Sequence, residues 1–177
     1  MRTIYVLMIS FLLVSATASG QSLVLQGSAG PTLNDPGHSL AAGIGFTPNS
    51  RLTVLVDLER THLSSTFSSD GRGGGSAFRG GTVTFVAAEL RAGLRPRDRV
   101  TPYVLGGFGV GVSRPNVNET FPDPVTNHVR AFFFGGGIHV PVGERLSIFG
   151  DARMTIGNEG GELLAIAPVR AGVAWRF

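Results

Sequence analysis

Charged residues in this chain keep to one side of every alternating stretch. Between positions 51 and 61, Leu52, Val54, Val56 and Leu58 alternate with Thr53, Leu55, Asp57 and Glu59. No 3.6-residue period fits this run. Successive side chains of a β-strand point to opposite faces, so the run is a ribbon with one greasy face and one polar face. The same sorting recurs along the chain. Asp57, Glu59, Glu89, Arg91, Arg95, Asp151, Arg153, Arg170 and Arg176 all lie on the parity opposite the apolar one. The apolar parity carries charge only at ribbon ends, as at Arg60 and Arg130.

Eight such ribbons are expected, at 22–30, 39–47, 51–61, 82–95, 101–113, 129–140, 145–156 and 165–177. Turn residues separate them. The links after the second, fourth and sixth ribbons are short and carry proline. Those after the third and fifth, 62–81 and 114–127, are long and polar, and those after the first and seventh are intermediate. An up-and-down barrel places odd and even links at opposite ends, and membrane barrels have short turns at one end and longer loops at the other. Ribbons of roughly 9–11 residues suffice to cross tilted hydrocarbon. Closure removes the unpaired edges that lipid would not tolerate. The expected fold is therefore all-β, an eight-stranded antiparallel up-and-down transmembrane β-barrel.

The charge sorting decides which face is which. An arginine on the lipid face at mid-depth costs about 2–4 kcal/mol. Inside a narrow barrel a charge can meet a partner, and four acids with five arginines nearly neutralise one another there. A soluble barrel carrying an apolar ligand in the periplasm, the competing architecture, would reverse the pattern. Gly107, Gly109, Gly111, Gly135 and Gly137 share the inner parity, where little room exists. The glycines of positions 106–111 lack the G-x-G-x-x-G spacing and the following helix of a nucleotide loop. Leu55, Phe85, Phe133 and Phe149 are also inward and should plug the lumen, so no open pore is expected.

The first 20 residues have the pattern of a cleaved signal peptide. Arg2 precedes a short apolar run, and Ala16, Ala18 and Gly20 supply the small residues of a cleavage site after Ala18 or Gly20. The barrel domain would then span 21–177. All 15 basic residues are arginine, which with 12 acids gives a net charge of +3 and no basic run. That argues against nucleic acid. There is no cysteine, and the four histidines lack ligand spacing, so neither a metal nor another cofactor is expected.

The last ribbon ends Ala171-Gly172-Val173-Ala174-Trp175-Arg176-Phe177, with apolar residues alternating up to a terminal aromatic. With the leader and the eight ribbons, this resembles the small eight-stranded outer-membrane β-barrel proteins of Gram-negative bacteria, the OmpA/OmpX-like group. The resemblance covers the mature chain. It implies residence in the cell outer membrane, and it implies that Val173, Trp175 and Phe177 form the signal read by the barrel-assembly machinery. The aromatic girdle is thinner than in that group, since Tyr103 points inward by parity. Phe46, Phe108, Phe132, Phe134 and Phe177 stand in its place.

The expected role is structural or one of surface interaction through the loops, without enzymatic activity. Arg60, Arg79, Arg114 and Arg130 lie at the loop ends of strands and are candidate contacts for lipopolysaccharide phosphates, because arginine matches phosphate geometry. The alternative is a lipid A-modifying enzyme, for which His62, Ser64 and Ser65 with Glu59 supply the raw material of a nucleophile.

Overall fold

Alternation of this kind leaves each ribbon with one face to hide, and the chain hides it by curling into a closed wall. The computed structural model describes residues 22–33, 35–64, 66–69, 75–78, 80–94, 99–117 and 125–177. The strands are β1 (Ser22–Pro31), β2 (Gly37–Asn49), β3 (Leu52–Leu63), β4 (Thr66–Ser69), β5 (Gly75–Phe78), β6 (Gly81–Gly93), β7 (Thr101–Pro115), β8 (Asn127–Pro141), β9 (Leu146–Glu159), β10 (Glu162–Ile166) and β11 (Val169–Arg176). Neighbours pair in the order β1-β2-β3-β6-β7-β8-β9, and β11 bridges β9 to β1 and closes the ring. Every pairing is antiparallel. Counting β10 and β11 as one broken wall strand, the barrel is eight-stranded.

Three local features differ from the sequence expectation. The polar stretch 62–81 is not a plain loop. β3 runs on to Leu63, and β4 and β5 form a separate hairpin beyond the barrel. The connection after the seventh ribbon is shorter than expected, because β9 runs to Glu159 and the chain reverses at Gly160 and Gly161. Their φ values of 61° and 103° suit glycine and strain any other residue. The last ribbon is interrupted at Pro168, which has no N–H for the ladder. The wall stays shut there because the Leu33 amide donates to the Ala167 carbonyl at 2.9 Å and the Arg153 amide donates to the Pro168 carbonyl at 3.1 Å.

The two faces of the wall are inverted relative to a protein with an apolar core. Leu58 is 56% exposed and Phe108 62%, on the outside. Asp57 is 0% exposed and Arg170 2%, on the inside. Leu40, Ile44, Val86, Leu90, Val110, Phe132, Phe134 and Ile148 continue the outer belt. An apolar surface that surrounds the molecule in this way requires hydrocarbon around it. Within the lumen, Leu55, Phe85, Phe133 and Phe149 are buried as expected.

The inward glycines make room for the inward rings. A Cβ on Gly107 would lie 2.5 Å from Phe133 Cζ, and one on Gly172 would lie 2.5 Å from Phe149 Cζ. Each ring lies against the bare backbone of the neighbouring strand, which lets a narrow barrel hold phenylalanines without voids. Tyr103 points inward, as its parity predicts, and its ring lies against Gly137.

Candidate functional site

Two constellations stand out, a lumen of ions and an outer polar band. In the lumen, β3, β6, β9 and β11 each present side chains of the inward parity at the same depth. Arg170 Nε donates to Asp151 Oδ1 at 2.9 Å, and its Nη2 donates to Oδ2 at 3.1 Å, a two-point pair. Arg170 Nη1 reaches Glu59 Oε2 at 3.4 Å across the barrel. Arg153 pairs with Glu59 Oε2 and with Glu89 Oε2, the latter at 3.4 Å. Arg91 Nε donates to Glu89 Oε1 at 2.5 Å, and its Nη2 lies 3.7 Å from Asp151 Oδ2.

Neutral groups complete the set. Gln26 Nε2 donates to Asp57 Oδ1 at 2.8 Å, Ser39 Oγ donates to Glu59 Oε1 at 2.9 Å, and the Tyr103 hydroxyl donates to Asp151 Oδ2 at 3.1 Å. Rings flank the guanidiniums: Arg91 lies 4.8 Å from the Phe149 centroid, and Arg153 lies 4.6 Å from that of Phe133. Sequence parity put Gln26, Ser39 and Tyr103 on the inner face without showing that they serve the carboxylates.

Seven of the nine charges expected inside are therefore together: Asp57, Glu59, Glu89, Arg91, Asp151, Arg153 and Arg170. All seven are buried. Arg176 shares their parity, but at the strand end it is exposed and opens on the short-turn mouth. Arg95 lies outside the described residues. Among the described residues the buried set holds four carboxylates against three guanidiniums.

The linked ions and the phenylalanines packed around them fill the lumen at this level. Purified protein in a planar lipid bilayer is expected to give no sustained conductance steps. A stable open channel would show that the network parts.

On the outside, register assembles what the sequence scatters. His38, His62, Thr82 and Arg114 lie opposite one another in turn across β2, β3, β6 and β7. The next rung is Leu40, Arg60, Thr84, Val112 and His128. The one after it ends in Arg130 opposite Asn158. Arg60, Arg114 and Arg130 are exposed. The result is a polar, basic band around the loop end of the apolar wall. Arg79 lies outside the described residues.

Among the described residues, those considered for a nucleophile are not brought together. Glu59 is inside the wall, bound to Ser39, Thr61 and arginines. His62 is on the outer parity, with its Nδ1 3.2 Å from Thr82 Oγ1 and its ring 5.4 Å from that of His38. Ser64 is exposed, and Ser65 lies outside the described residues. Val173 and Trp175 of β11 face outward and are exposed, and Phe177, one residue beyond the strand, is exposed too.

No protein-family model and no curated protein sequence matches the chain. Solved structures do. Neisserial surface protein A superposes with a TM-score of 0.67 at 14% identity, covering 90% of this chain and 100% of that one. The N-terminal β-barrel domain of Pseudomonas aeruginosa OprF gives 0.60 at 15% identity, over 88% and 97% of the two chains. Ail, the attachment invasion locus protein of Yersinia pestis, gives 0.55 at 16% identity, over 90% and 100%. The closed eight-stranded wall agrees with these likenesses, and the chain has the fold of the small eight-stranded outer-membrane β-barrels of the OmpA/OmpX-like type.

Proposed function

We propose that the protein is an integral outer-membrane barrel without a through-pore, whose basic outer band holds the phosphate groups of lipopolysaccharide and whose loops meet partners at the cell surface. The observation that carries the proposal is the placement of Arg60, Arg114 and Arg130. They point away from the lumen at the loop end of the apolar wall, the depth where headgroups meet hydrocarbon. Guanidiniums present paired donors to phosphate oxygens, which suits anionic headgroups better than a diffuse cationic surface would. Outward His38, His62 and His128 enlarge the same polar band.

The terminal residues Val173, Trp175 and Phe177 fit a second part of the proposal, recognition by the barrel-assembly machinery during insertion. Val173 and Trp175 project outward from the strand that must find β1 last.

The test is retention of lipopolysaccharide by the purified barrel, measured by native mass spectrometry. Arg60→Gln with Arg130→Gln should lower the bound lipopolysaccharide several-fold while leaving the folded barrel intact. Retention equal to that of the parent would remove the outer band from lipid recognition.

A further inference from the structure

Below the ion network the lumen widens into a vestibule that opens at the short-turn end. It is a cavity of ≈ 240 Å³. Arg51, Arg91, Arg176 and His139 line it, together with hydroxyls such as those of Thr47 and Thr53. No carboxylate among the described residues lines it. The opposite chamber, at the loop end, is lined by Asp35, Glu159 and Glu162 and by no arginine among the described residues. The barrel axis is therefore polarised, with acids toward the loops and bases toward the turns.

Arg91 forms the inner wall of the vestibule. Its Nε is held by Glu89, and its guanidinium lies between the rings of Tyr103 and Phe149, 5.2 and 4.8 Å from their centroids. That fixes the plane of the group. Its Nη2 is buried, makes no hydrogen bond and lies 3.7 Å from Asp151 Oδ2, so the inner wall is a partly neutralised cation and the unpaired positive charge of the vestibule is at its rim. Arg51 and Arg176 stand at the rim and are exposed, and neither has an ion-pair partner among the described residues. Cations gathered in a half-enclosed, low-dielectric recess attract an anion more strongly than they would on an open surface.

We propose that this vestibule binds a small oxyanion, a phosphate or carboxylate taken from the compartment on the short-turn side. That compartment is the periplasm if the orientation proposed above holds. Arg91 would supply a fixed donor at the base of the site, and Arg51 and Arg176 would close over the anion from the rim. The threonine hydroxyls would satisfy its remaining oxygens. The cavity accommodates a phosphate, a small phosphate ester or a short dicarboxylate, and its size excludes a polymer.

Trp175, the single tryptophan, borders the vestibule but is on the outward parity, so the heat of binding is the readout. Full-length mature barrel in detergent micelles would be titrated with sodium phosphate and, separately, sodium succinate, with chloride used to hold ionic strength constant. The heat of binding would be followed. Saturable binding is expected, weakened about tenfold or more in Arg51→Gln with Arg176→Gln, which corresponds to roughly 1.4 kcal/mol. Glu162→Gln, exposed at the opposite end and outside both proposed binding sites, should bind the anion as the parent does.

Absence of saturable heat in the folded parent would overturn the proposal, and so would equal affinity in the rim double variant. Repeating the phosphate titration in phosphatidylglycerol nanodiscs separates a soluble anion from a lipid headgroup. Retained binding supports a soluble ligand. Its loss there means that headgroups fill the site, which overturns a soluble one. The micelle titration does not depend on which mouth faces the periplasm, so its failure is distinct from failure of the lipopolysaccharide proposal.

Discussion

Replacing Val56 by arginine should abolish assembly of the barrel, while Thr53→Arg on the same strand should leave most of it folded. Val56 lies in the middle of β3 and points outward, with Ile44 and Ala88 opposite it on the two neighbouring strands. A guanidinium there would sit among hydrocarbon tails with no partner in reach. Arginine at the bilayer midplane costs about 2–4 kcal/mol. That is a large share of the ~5–15 kcal/mol that separates most folded proteins from unfolded ones. Thr53 instead lines the vestibule near the mouth, 3.3 Å from the Thr47 hydroxyl, where a longer side chain can reach water. The readout is gel migration with and without boiling. A closed barrel runs as a compact species until it is boiled. Val56→Arg should lose that species and Thr53→Arg should keep it, and equal behaviour would place Val56 off the lipid face.

The contrast can be read from the sequence because a period of two assigns a face to every residue once the run is known to be a strand. Asp57 and Val56 are separated by their parity alone, and the structure puts one in the lumen and the other outside. What parity cannot supply is register, and most of the candidate sites depend on register. Arg170 and Asp151 pair because β11 lies against β9 in one particular alignment. Arg170 also meets Glu59, 111 positions away, because the two strands face each other across a closed lumen. His38 and His62 look isolated along the chain, yet the ladder sets them side by side. Arg176 shows the complementary error. Parity pointed it inward, but near the strand end the same direction opens into the mouth rather than into the packed interior. The β4–β5 hairpin was hidden for a different reason, since its short serine- and glycine-rich segments have no apolar alternation to announce a strand.

The largest interior effect is expected at Arg170. Arg170→Met should lower the resistance of the barrel to urea by about 3–5 kcal/mol, the range seen when one partner of a buried ion pair is removed. The reason lies in what the arginine leaves behind. It makes two hydrogen bonds to Asp151 and a third contact to Glu59, all out of reach of solvent. Among the described residues the buried set already has four carboxylates against three guanidiniums, and the change makes it four against two. Methionine fills much of the volume, so lost packing contributes little, and the penalty comes from uncompensated negative charge. If so, removing a carboxylate from the same pair should restore stability. Arg170→Met with Asp151→Asn leaves three carboxylates against two guanidiniums, and the amide still accepts the Tyr103 hydroxyl. The double variant should be more stable than Arg170→Met alone, with a coupling energy well above the ~0.3–0.5 kcal/mol scatter of independent sites. Arg170→Lys should fall in between, because an ammonium keeps the charge but cannot match both carboxylate oxygens in one plane. Added salt should change these differences little, since the pair is shielded from the ions that screen surface charges. Arg170→Met that unfolds no more readily than the parent would show that the lumen is wet enough to hydrate Asp151 and Glu59 without a guanidinium, and a wet lumen would also predict the conductance that the packed network forbids.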